Sequence, residues 1–115
     1  MTRDEMISLF ERWFTSVNEG ETSLYEQGEL PRLVYWDYMW NFLPASGKAY
    51  AIASTYQVSI FSDIPPRENH KLKRMLNELT GMLGYAVDVM HEYNPEDRVW
   101  HSAFTITTSP EEPEL

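Results

Sequence analysis

Three histidines, no cysteine and a scatter of carboxylates are what this 115-residue chain offers to acid–base, nucleophilic or metal chemistry. Without a thiol there is no disulfide, no sulfur-built zinc site and no cysteine nucleophile. His70 falls in a helix-like stretch, while His91 and His101 fall on two strands that read as one hairpin. If Tyr93 faces Arg98 across the turn, His91 lies opposite Trp100 and Met90 opposite His101, which sends the two imidazoles to opposite faces. A one-residue shift of register would gather them beside Glu92 or Asp88 as a metal pair, but ordinary sheet histidines are the favoured reading. Glu96 and Asp97 adjoin Arg98 in an exposed turn, where neither carboxyl acquires the distinct environment that general acid and base catalysis requires. Ser46, Gly47 and Lys48 suggest an anion nest, yet read better as a solvated turn. The five glycines stand apart, so no phosphate loop forms, and no serine occupies a nucleophile elbow. The chain is expected not to be an enzyme and to take no cofactor or metal.

The elements follow from periodicity. Thr2 with Glu5 is a capping-box spacing, and Met6, Leu9, Phe10, Trp13, Phe14 and Val17 recur at helical steps, which predicts a helix over 2–17. Residues 18–31 read as a loop. Leu33 to Tyr35 are strand formers, and Trp36, Tyr38, Trp40 and Phe42 continue them with a period of two. After a turn at 44–48, residues 49–62 alternate as one long strand, too long for a small domain unless its first half leaves the body as an arm. Pro65 and Pro66 open a second helix that carries Arg67, Lys71, Lys73 and Arg74 and ends at Gly84. Residues 85–93 and 98–107 make a closing hairpin. The order α-β-β-α-β-β predicts a two-layer α+β domain over 1–107. Its four-stranded, mostly antiparallel sheet is covered on one face by two helices and has a projecting β-hairpin arm. Residues 108–115 read as a flexible acidic tail.

At 13.5 kDa and 43% apolar, the chain has the size and carbon surface for one packed core. No run approaches the roughly 20 apolar residues of a membrane-spanning helix, and the first residues lack the order of a secretory signal, so synthesis in the cytoplasm is expected. Net charge is −9, which disfavours direct gripping of nucleic acid. That charge is uneven: residues 1–30 carry −5, residues 31–84 carry +2 and residues 85–115 carry −6. Ordinary solubility explains such a surface, as does a lining past which another polyanion slides without sticking. The aromatic surplus at Trp36, Tyr38, Trp40, Phe42, Tyr50 and Tyr56 needs a destination. Either it enlarges the monomer core, or the arm over 37–55 uses it to meet a neighbouring copy or another partner.

The segments PRLVYWDY, STYQVSIFSD leading into PPRENHKLKRMLNEL, and EDRVWHSAFTI, with Gly47, Lys48 and Tyr50 between the first two, resemble the small tail-terminator or tail-completion proteins of long-tailed phages and prophages. The resemblance covers residues 31–107. It implies a structural protein of the virion tail, at the head–tail interface, that forms a homo-oligomeric ring, typically a hexamer. The ring would cap the tail tube, stop its polymerisation and present a surface to the head–tail connector, with genomic DNA passing through the channel unbound. Trp36, Tyr38, Trp40, Phe42, Lys48 and Tyr50 are then the expected subunit interface. The alternatives are a head-side connector (head completion) protein and an acidic, non-enzymatic binding module.

Overall fold

Thr2 and Glu5 form the box their spacing predicts: the Thr2 hydroxyl accepts from the Glu5 amide and the Glu5 carboxylate accepts from the Thr2 amide. In this computed structural model, which describes residues 1–20, 30–44 and 50–110 (the Tyr50 side chain aside), the helix α1 spans Arg3–Trp13. It is shorter than the sequence suggests, because Phe14 turns extended while its amide still bonds the Phe10 carbonyl. The chain then forms a short strand, β1, over Ser16–Glu19, where a helix end and a loop were expected. Val17 is its only apolar residue, too little to register as alternation. What recruits the segment is the open edge of the next strand, β2 (Arg32–Pro44), with which it pairs in parallel.

Strand β3 covers Tyr50–Ser62 and runs antiparallel to β2. The two prolines make a short 3-10 turn at Pro66–Glu68, and the helix α2, His70–Leu83, starts only after Asn69. The buried Asn69 carboxamide oxygen accepts the Leu72 amide at 3.1 Å, a stronger start signal than the prolines. Gly84, at φ 78°, ends the helix in the left-handed conformation. Residues 85–89 are not a strand, since Val87 and Val89 pack on the core instead. The closing hairpin is β4 (Met90–Asn94) and β5 (Val99–Thr107).

The sheet has five strands in the order β1-β2-β3-β5-β4 and is mixed, which corrects the four-stranded antiparallel expectation within the same α+β class. Leu33 and Tyr35 of β2, Tyr56, Val58 and Ile60 of β3, and Phe104 and Ile106 of β5 share one face. Against them pack Met6, Leu9, Phe10 and Phe14 from the first helix and its end, and Leu72, Met75 and Leu79 of α2. Burying that face is the main driving force for the fold. Tyr56 belongs to this core at 2% exposure, between the rings of the sheet and the arm, and is not part of an aromatic surplus.

Candidate assembly surface

Strands β2 and β3 outrun their neighbours. β1 pairs with β2 only as far as Tyr35, and β5 pairs with β3 only from Thr55 onward. In the strand register, residues 40–44 and 50–54 therefore pair only with each other among the described residues, as a two-stranded ribbon. A 13-residue strand at ~3.3 Å per residue is about 43 Å long. The molecule measures 53 Å along its longest axis against 29 and 21 Å on the others, as such a projection demands. The root of the ribbon is braced. The Thr55 and Thr107 hydroxyls stand 2.9 Å apart, and the Thr108 amide donates to the Ser54 carbonyl at 2.9 Å.

A bulge at the root decides which way the rings face. Asp37 pairs with Tyr56 and Met39 with Thr55, so Tyr38 is an extra residue on β2 with no partner of its own in the register. Before it, the odd-numbered residues of β2 face the helices; beyond it, Trp40 and Phe42 do, opposite Ser54 and Ile52. The Trp40 indole N–H donates to the Asp37 carboxylate at 2.9 Å, which only two residues on one face can do. Trp36, Tyr38, Trp40 and Phe42, spaced as one row, are thereby divided. Trp36 is half-buried on the sheet face away from the helices, Tyr38 sits at the bulge, and Trp40 and Phe42 meet edge to face at 6.4 Å.

Tyr38, Trp40 and Phe42 are 63%, 54% and 61% exposed, with Met39 and Leu43 exposed beside them. From Tyr38 to Ser62 the only charged side chain is Lys48. Single exposed apolar residues are ordinary on a protein surface, but five in six consecutive positions leave apolar surface on both faces of the ribbon. Lys48 and the Gly47 turn lie outside the described residues, as does the side chain of Tyr50, whose backbone pairs with Pro44.

The histidines do not converge. Tyr93 pairs with Trp100, two residues from the expected register, so His91 lies opposite Ser102 and Glu92 opposite His101. The turn takes the extra residues because the Asn94 carboxamide oxygen accepts the Glu96 amide at 3.0 Å and Arg98 takes a left-handed φ of 55°. A two-residue shift preserves parity, and the imidazoles still point to opposite faces. His91 Nδ1 pairs with the Ser102 hydroxyl at 2.7 Å, and His101 Nε2 with the Ser59 hydroxyl at 2.8 Å. His101 also stacks on Phe61 at 4.6 Å, and burial holds its pKa below the ordinary value while nearby Glu92 pulls the other way. Among the described residues no three His, Asp or Glu side chains gather as a metal site. Glu96 and Asp97 are exposed in the turn, with Asp97 bonded to Asn94. No family model matches the chain, and no curated protein matches it.

Of the surface features, sequence reasoning missed the bulge and the split of the aromatic row. An Asp three residues before a Trp is the only signal in the sequence that anticipates it.

Proposed function

We propose that this chain is a structural phage or prophage tail terminator, which joins copies of itself into a ring on the end of the tail tube. One observation carries the reading: a charge-poor β-ribbon holds its rings outside the core of the monomer that made it. Covering those rings with a neighbouring copy or the tube end recovers apolar burial that the lone domain forgoes. The −9 charge supports it too, since a negatively lined collar lets DNA pass without adhering. The mechanism is steric. A ring whose one face complements the tube end, and whose other face offers no template for a further tube ring, stops growth there.

Electron microscopy of tubes assembled from the tail tube protein of the same genome, with and without this chain, tests the proposal. Tubes of defined length bearing a ring at one end are expected. Tubes of unchanged, unlimited length overturn it, and binding to portal-side proteins alone assigns the chain to the head-side connector instead.

A further inference from the structure

Where the end of α1 meets the start of α2 lies a cavity of about 400 Å³, away from the aromatic ribbon. Trp13 and Phe14 form its apolar part, and Arg12, His70, Lys71 and Arg74 surround them. Lys71 Nζ stands 5.1 Å from the centre of the Phe14 ring. Two of the polar groups are already engaged: the Arg12 guanidinium pairs with Glu78, and the Trp13 indole N–H donates to the same carboxylate at 2.7 Å. Lys71 and Arg74 are exposed and meet no carboxylate among the described residues. Among the described residues, Glu11 is the only acid on the lining.

This concentration of positive charge sits on a chain of net charge −9. An acidic neighbour is repelled by most of such a surface and attracted here. The matching ligand carries carboxylates for Lys71 and Arg74 and apolar or proline residues for the aromatic floor. Residues 110–115, Pro-Glu-Glu-Pro-Glu-Leu, have that composition. We infer that the groove binds the acidic segment 110–115 of a second copy of this chain.

A second copy is favoured over the same chain by reach. The Ser109 amide bonds the Met1 carbonyl at 2.7 Å, which fixes the start of the segment at the far end of α1. An 11-residue helix is about 16 Å long, and six extended residues span at most about 20 Å. The chain's own segment would be drawn taut before more than its last residues arrived, whereas a second copy delivers all of it. The inference is independent of the ring, because it needs only two copies and is read without a tube.

The test titrates a synthetic peptide of residues 108–115 into the isotope-labelled full chain and follows the Trp13 indole and the Lys71 and Arg74 amides by NMR. Salt-sensitive shifts at these positions are expected. The double variant Lys71→Glu, Arg74→Glu is expected to weaken binding about ten-fold or more, while Lys73→Glu, on the same helix outside the groove, changes it less than about two-fold. All three positions are exposed, so the fold survives either variant. Equal binding of a peptide with all three glutamates replaced by glutamine overturns the inference, as do shifts that map elsewhere. So does a short single-stranded DNA that shifts these resonances when the peptide does not. Occupancy by the same chain is recognised, and the second-copy assignment overturned, if removing residues 111–115 moves the Trp13 indole signal at concentrations where the chain is monomeric.

Discussion

Replacing Trp40 and Phe42 together with serine separates the two destinations open to the ribbon rings. With the two residues 54% and 61% exposed, and ~150–250 Å² on each when fully covered, roughly 80–150 Å² per residue is left for a partner to bury. At ~25 cal/mol per Å², that is about 2–4 kcal/mol per residue before association costs are subtracted. A residual loss of about 2–4 kcal/mol, roughly a 30- to 1000-fold weaker attachment, is the size of an interface hot spot. The monomer loses far less. Among the described residues it gives up an exposed hydrogen bond from Trp40 to Asp37 and the edge-to-face contact between the two rings, together about 1–2 kcal/mol. Phe10→Ala, in the fully buried core, supplies the contrast at about 3–5 kcal/mol. Thermal unfolding followed by circular dichroism reports the folding term, and co-pelleting with assembled tubes reports attachment. The double variant is expected to melt near the wild type and to stay in the supernatant. If it instead melts like Phe10→Ala and pellets normally, the ribbon serves the monomer and the assembly surface is misplaced.

Two further outcomes follow from single contacts. Asn69→Ala removes the carboxamide that caps α2 and is expected to lower unfolding free energy by about 1–2 kcal/mol in urea titrations, whereas Asn69→Asp, which keeps the acceptor, restores most of it. His101 is held below the ordinary histidine pKa of 6.5 by burial, so the unfolded chain binds its proton more readily than the folded one. Its contribution is complete above about pH 6.5 and is lost as pH falls through the folded-state value. Urea midpoints measured from pH 8 to pH 5 should therefore decline less steeply for His101→Gln than for the wild type, and parallel curves would remove His101 as the cause.

Local signals carried the parts of the fold whose causes are local. The capping box at Thr2, the apolar steps from Met6 to Phe10 and from Leu72 to Leu83, Gly84 past the end of α2 and the alternation from Ile52 to Ile60 each act within a few residues and stand where their spacing placed them, whereas the outer ends of both helices do not. The length of that alternation also announced a projecting arm, because a strand longer than its domain has nowhere else to go. Ser16–Glu19 was invisible for the opposite reason: it is a strand only because the edge of β2 is free to receive its hydrogen bonds, and no side-chain pattern records that. The bulge at Tyr38 is of the same kind. A period of two is a statement about one strand, whereas facing is a property of paired strands, and one unpaired residue reverses it for every position that follows.

What the residues determined unaided was quantity: how much apolar and aromatic surface the chain holds, how negative it is, and where its few cations lie. Tertiary structure decided allocation, sending Tyr56 into the core, leaving Trp40 and Phe42 more than half exposed on a ribbon, and joining Trp13 and Phe14 to Lys71 and Arg74 from a helix more than fifty residues away. The reason is physical. Burial depends on which surfaces meet, and surfaces meet through long-range pairing and packing that composition and spacing do not encode.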